Sequence, residues 1–290
     1  MYSGSYVALV TPFKDNLDID FEAYGRLIDM QLENGTHGIV PAGCTGEAAT
    51  LTHDEQKKLI TFAIERVSGR IPVVAGTGSN NTAETLGLTA FAKDAGADGA
   101  LMITPYYNKP TREGIIAHYT TVADQVELPI MLYNVPGRTQ LKMEPETIAT
   151  LAKHPNIVSV KEACGSVDQV SQIRELSDIN IMSGDDPLTL PMMSVGASGV
   201  VSVAANVVPD KISGLCNAFH EGDLKKAQEM HYDVLPLNKA LFVETNPMPV
   251  KKILAEMGLI QNVLRLPLTP MLVDKYESIK PVLQGYGLVK

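Results

Sequence analysis

Residues 129–163 read PIMLYNVPGRTQLKMEPETIATLAKHPNIVSVKEA. Two short apolar runs, one from Pro129 and one from Ile157, flank a helical segment. Pro145 stands near its start, where a missing N–H costs little. The stretch is one strand–helix–strand unit, and the same alternation fills most of the chain. Further β-rich runs begin near Ser5 (SYVALVTP), Gly38 (GIVPAG), Ile71 (IPVVAGTG), Gly99 (GALMITPYY), Asn180 (NIMSGDD) and Gly199 (GVVSVAAN). They recur at roughly 20–33-residue intervals, the repeat expected of successive βα units. Between them, Phe21–Glu33 carries Phe21, Tyr24, Leu27, Ile28 and Leu32 at three- and four-residue steps, one apolar helix face. Thr52 with Glu55 makes a capping box for a helix running through Ala63.

Such units close into a barrel or spread into an open sheet. Open sheets that bind dinucleotides carry a Gly-rich loop after the first strand. Here Gly76-Thr77-Gly78 follows the third strand, and Asn81 occupies the third glycine position. The pattern therefore favours an α/β fold, a (β/α)8 TIM barrel over residues 1–222. Beyond Asn206 strands cease, and Asp210–His220, Asp223–Phe242, Pro249–Met257 and Met271–Gln284 read as helices. The first completes the eighth unit; the rest form a small C-terminal helical domain, residues 223–290, packed on the barrel.

A net charge of −9 disfavours nucleic acid as a partner, because that affinity rests on Lys and Arg meeting phosphates. An anionic small molecule remains compatible if a few local cations offset the global field. Cys44, Cys164 and Cys216 are too scattered for a disulfide framework or a paired zinc motif. The six histidines lack zinc-type pairing, so no metal is expected, and there is no G-x-S-x-G elbow or P-loop. With neither a basic leader nor a bilayer-length apolar run, the sequence reads as cytoplasmic, without a membrane partner.

In a barrel of this kind chemistry sits at the C-terminal ends of the strands. The sixth run ends on Lys161. Strand alternation sets Val158 and Val160 on one side and Ser159 and Lys161 on the other. The apolar side suits the outer helices, so Lys161 points into the barrel mouth. Loss of hydration there lowers a lysine's pKa, and the neutral amine can attack a ketone to form an iminium. Position alone leaves open a lysine paired with Glu162 or Asp185. Tyr133 likewise ends the fifth run facing inward, and Arg138 follows in a Pro-Gly turn, where a guanidinium can clamp a carboxylate. A satisfied core tyrosine and a solvated loop arginine are the plain alternatives. In Gly43-Cys44-Thr45-Gly46-Glu47 the glycines admit a ligand close to the backbone, and a helix start just after would favour an anion; an ordinary βα turn reads equally well. Tyr106 and Tyr107 stand on the loop after the fourth strand, fit for an interface, a substrate or packing.

Together, G-C-T-G-E at 43–47, T-P-Y-Y-N at 104–108, Y-N-V-P-G-R-T at 133–139, V-K-E-A at 160–163 and S-G-D-D at 183–186 resemble the pyruvate-dependent class I aldolases. That family contains N-acetylneuraminate lyase and dihydrodipicolinate synthase, and the resemblance runs from Val-Ala-Leu-Val-Thr-Pro near the N-terminus to the C-terminal helices. Arg138, the Tyr106-Tyr107-Asn108 run and Phe242–Pro247 resemble the synthase branch. The resemblance implies condensation of pyruvate with L-aspartate-4-semialdehyde to 4-hydroxy-tetrahydrodipicolinate, on the route to lysine and diaminopimelate, without a cofactor. It implies Lys161 as the Schiff-base lysine and Tyr133 as proton donor and acceptor. Thr45 would bind the pyruvate carboxylate and relay protons, and Tyr107 would reach a neighbouring subunit's site. Arg138 would hold the semialdehyde carboxylate, with Gly184 and Val201 lining the pyruvate pocket. The family usually has G-T-T-G-E; Cys44 departs from it, and a thiol is the poorer hydrogen-bonding partner.

The resemblance also implies feedback inhibition by L-lysine, bound at Ala49, His53, Asn80, Glu84 and Tyr106. Ala48 and Gln56 stand where sensitive relatives often have Ser and His. A capped surface helix with a polar loop accounts for the same residues. A homotetramer built as a dimer of dimers is implied. Competing readings are a sister lyase or 2-keto-3-deoxy sugar-acid aldolase, and a barrel that binds a metabolite without turnover.

Overall fold

The computed structural model describes residues 2–290. Eight strands form one sheet: β1 (Gly4–Ala8), β2 (Gly38–Val40), β3 (Val74–Gly76), β4 (Gly99–Ile103), β5 (Ile130–Asn134), β6 (Ile157–Glu162), β7 (Asn180–Ser183) and β8 (Gly199–Ser202). All pairings are parallel, in the order β2-β1-β8-β7-β6-β5-β4-β3. The last seam, between β2 and β3, is closed by a parallel bridge from Ile39 to Val73. There Ile39 N–H donates to the Pro72 carbonyl at 2.9 Å, and Gly76 N–H to the Pro41 carbonyl at 2.9 Å. Closure leaves no edge with unpaired backbone groups. The TIM barrel expected from the alternation is the fold observed.

Around the wall stand α1 (Phe21–Glu33), α2 (His53–Val67), α3 (Thr82–Asp94), α4 (Arg112–Gln125), the single turn α5 (Pro136–Thr139), α6 (Pro145–Leu151), α7 (Val167–Leu176), α8 (Thr189–Ser194) and α9 (Pro209–His220). The Thr52–Glu55 capping box is present, and α2 runs to Val67, past the expected end at Ala63. Outward strand residues such as Val7, Ile39, Val160 and Val200 bury against the helices. Inward residues such as Ala8, Val40, Leu101, Met131, Met182 and Val201 fill the barrel. Both faces of each strand are thus apolar, which is why the runs read as continuous rather than alternating. After α9 come α10 (Leu224–Ala240), packed on α9, then α11 (Met248–Glu256) and α12 (Val273–Gly285), which packs on α10.

Two local expectations fail. Val158 does not share the outer face with Val160 but packs against the barrel interior. The cause is a register shift between β5 and β6: Ile130 pairs with Ile157 and Met131 with Ser159, so Val158 is bulged out of the alternation. In addition, no helix begins directly after Glu47. Ala48–Thr50 form one 3-10 turn, and the α2 N-terminus is already capped by Thr52 and Glu55. No helix dipole therefore serves the 43–47 loop.

Candidate active site

Beyond the bulge the register is regular, and it sets the chemistry. Ile103 pairs with Tyr133, Tyr133 with Lys161, and Lys161 with Met182, a row across β4–β7 at the C-terminal rim. Because paired residues share a face, the ammonium and the phenol are forced together. Lys161 Nζ lies 4.3 Å from the centroid of the Tyr133 ring. Lys161 is 5% exposed and Tyr133 6%. Burial lowers the Lys161 pKa to about 8; the Cys44 thiol and Asp186 oppose that fall and Arg138 adds to it. Burial also holds the Tyr133 phenol well above its ordinary range, reinforced by Cys44 and opposed by Arg138. The pair thus combines a readily deprotonated amine with a phenol that keeps its proton.

The alternative in which Lys161 is neutralised by Glu162 or Asp185 is overturned. Among the described residues Lys161 belongs to no ion pair. Glu162, next along β6, belongs to the opposite face. Asn134 Nδ2 donates to its two oxygens at 3.1 and 3.0 Å, Gln169 Nε2 at 3.0 Å and Cys164 N–H at 2.9 Å. The Asp185 N–H bonds its neighbour Ser183 Oγ at 3.2 Å. The carboxylate that does influence the lysine is buried Asp186, which accepts from Ser202 Oγ and, at 2.9 Å, from Val203 N–H. Its place in S-G-D-D was visible in sequence; its orientation was not.

Across the mouth, Thr45 is buried, and its Oγ1 accepts from Asn246 Nδ2 at 2.9 Å. The Asn246 carbonyl accepts from Arg138 Nη2 at 3.1 Å. Asn246, in the segment before α11, therefore joins two residues that sequence reasoning found without finding the link. Arg138 is exposed on α5, a helical turn rather than an open loop. Gly184 follows β7, where any Cβ would lie 2.7 Å from Ala163 Cβ and 2.9 Å from Lys161 Cε, so only glycine leaves room for the lysine stem. Val201, on β8, packs inside the barrel.

A cavity of about 490 Å³ opens beside this rim, lined among others by Cys44, Tyr133, Arg138 and Asn246, a volume suited to a small ligand. It continues to Ala49, His53, Gln56, Glu84 and Tyr106. There Glu84 accepts from Ser79 Oγ at 2.7 Å and lies 3.9 Å from His53 Nε2. Asn80 Nδ2 donates to the Tyr106 carbonyl at 3.1 Å. Tyr107 stands apart, 90% exposed and at a left-handed φ of 72°. Among the described residues no cluster of His, Cys, Asp and Glu could hold a metal ion, and no helix is long and apolar enough to cross a membrane.

The chain matches the model of the dihydrodipicolinate synthetase family over residues 1–285. It is 49% identical over 291 residues to the 4-hydroxy-tetrahydrodipicolinate synthase of Pelobacter propionicus, covering 100% of both chains. Among solved structures, dihydrodipicolinate synthase from Aquifex aeolicus superposes with a TM-score of 0.97 at 47% identity, covering 99% of each chain. The chloride-inhibited enzyme of Acinetobacter baumannii, complexed with pyruvate, gives 0.97 at 42% identity, with 99% of each chain covered. That of Cyanidioschyzon merolae, with lysine bound, gives 0.95 at 39% identity and the same coverage. With its barrel, its rim lysine and these likenesses in agreement, the chain belongs to the dihydrodipicolinate synthetase family.

Proposed function

We propose that this chain condenses pyruvate with L-aspartate-4-semialdehyde to 4-hydroxy-tetrahydrodipicolinate through a Schiff base on Lys161. The observation that carries the reading is the enclosed, unpaired Lys161 over the Tyr133 ring, with its pKa brought down to about 8. The neutral amine adds to the pyruvate ketone, and water leaves as the iminium forms. Loss of a methyl proton gives an enamine, whose carbon attacks the semialdehyde aldehyde. The semialdehyde amino group then displaces the lysine and closes the ring, so one water is lost overall.

Tyr133, protonated at rest, gives and takes the protons of these steps, with Thr45 and Cys44 beside it and Tyr107 supplied by a neighbouring subunit. Thr45 also binds the pyruvate carboxylate, with Gly184 and Val201 walling that pocket. Arg138 holds the semialdehyde carboxylate, a local cation in a chain of net charge −9. The enzyme works in the cytoplasm as a homotetramer, a dimer of dimers. L-lysine inhibits it at Ala49, His53, Asn80, Glu84 and Tyr106, where the Glu84 carboxylate, close to His53, meets the ligand's amino group. Support comes from the cavity's extension to Ala49, His53, Glu84 and Tyr106, from the Asn80 bond to the Tyr106 carbonyl, and from the lysine-bound relative.

The test is incubation with pyruvate and borohydride, followed by digestion and mass spectrometry. A reduced adduct on Lys161 is expected; modification elsewhere, or none, refutes the reading. A coupled assay then compares aspartate semialdehyde with sugar aldehydes, and preference for the latter would place the chain with the sugar-acid lyases. Unchanged initial rates at millimolar lysine would remove the inhibitory site.

A further inference from the structure

The loop that carries Cys44 and Thr45 is bounded by Ala42 and Glu47, both left-handed, with φ of 53° and 55°. Neither is glycine, so each conformation is costly and must be held by its surroundings. At Glu47 the hold is electrostatic. Its carboxylate pairs with Lys251 of α11 at 2.5 Å, and both side chains are wholly excluded from solvent. Lys251 Nζ also donates to the Thr11 carbonyl at 2.9 Å and lies 4.4 Å from the centroid of the Phe13 ring. The other Glu47 oxygen accepts from Arg265 N–H at 3.3 Å. Thr11 Oγ1 in turn donates to the Gly46 carbonyl at 2.7 Å, so both ends of the Gly46–Glu47 step are tied to one buried polar knot.

Burial pushes the Lys251 ammonium down in pKa, and Glu47 opposes that fall. An apolar pair of the same volume would stabilise such a site equally well. It would not supply directional bonds at a fixed point. A second tie leads from the same C-terminal region to the same loop, the Asn246–Thr45 hydrogen bond.

We propose that Glu47 and Lys251 are positioning residues: their pair fixes the loop that sets Thr45 and Cys44 against Tyr133, and so makes the C-terminal helical region part of the active site. The proposal rests on the reading of Lys161 given above. The Lys161 backbone is placed by β6 and not by this loop, so at saturating pyruvate borohydride trapping persists, whereas turnover, which uses Thr45 and Cys44 at each proton transfer, falls.

The test uses the full chain carrying Glu47→Gln together with Lys251→Met, which removes both charges and roughly keeps side-chain volume. Each single variant is measured beside it. The singles leave one buried group unpaired and are expected to lower Tm by roughly 5–10 °C. In the double variant Tm recovers, whereas kcat stays down by about tenfold or more and borohydride still traps pyruvate on Lys161. Recovery of kcat together with Tm overturns the proposal, because the pair then serves stability alone. Where the double variant does not fold, Lys251→Gln replaces it, keeping one donor on Glu47 without the charge. Wild-type kcat in that variant is equally fatal, and reduced kcat with trapping intact supports positioning. If the wild type itself traps no pyruvate, it is the functional reading that has failed, not this one.

Discussion

Replacing Lys161 with Met should make the protein more stable at neutral pH while abolishing Schiff-base chemistry. The side chain is 5% exposed and has no ion-pair partner among the described residues, so its charged form is disfavoured by burial. Its pKa falls from 10.5 to about 8, and each pH unit of difference is worth about 1.4 kcal/mol. Keeping the ammonium at pH 7 therefore costs the folded state about 3 kcal/mol relative to the unfolded chain. The sign follows from proton counts. Between about pH 8 and 10.5 the unfolded lysine is protonated and the folded one is not, so wild-type stability rises with pH across that window. Met fills similar space without the charge. The variant's advantage should be about 3 kcal/mol at pH 7, a Tm gain of roughly 5–10 °C, and should shrink toward zero as pH approaches 10.5. Urea unfolding of both proteins at pH 7 and pH 9.5 measures it. A variant no more stable than wild type at pH 7, or an advantage that does not change with pH, would refute the claim that Lys161 is held against its own solvation.

Three further outcomes follow from the same geometry. Because the neutral amine attacks, kcat/KM for pyruvate should rise with pH and level off above about 8; a profile flat from pH 6 to 9 would contradict the lowered pKa. Cys44→Thr, which puts a hydroxyl beside Tyr133, should retain or raise turnover, and a large loss of kcat would show that the relay assignment is wrong. Gly184→Ala sets a Cβ 2.9 Å from Lys161 Cε and displaces the amine, so borohydride trapping should fall by about tenfold or more, with normal trapping as the contrary result.

The order of elements was legible in the chain because each strand is buried on both faces and several helices announce themselves by an apolar period or a cap. Thr52 with Glu55 and the apolar stripe of Phe21–Glu33 needed no partner to be read. Lys161, Tyr133 and Arg138 were findable because a strand end in a barrel is a position of known meaning, and nearest-neighbour alternation fixes which way a side chain points. That logic failed at Val158, where a bulge inserts a residue that no local pattern marks. It failed again after Glu47, where turn residues resembled a helix start but led into a single 3-10 turn. What the sequence could not decide are the contacts between residues far apart in the chain. Thr45 meets Asn246, Glu47 meets Lys251, and Asp186 bonds Ser202 and Val203 only because barrel closure and the packing of the C-terminal helices bring their backbones together. Local physics wrote the strands and helices into the sequence; which charges meet in the interior depends on where the folded elements finally lie.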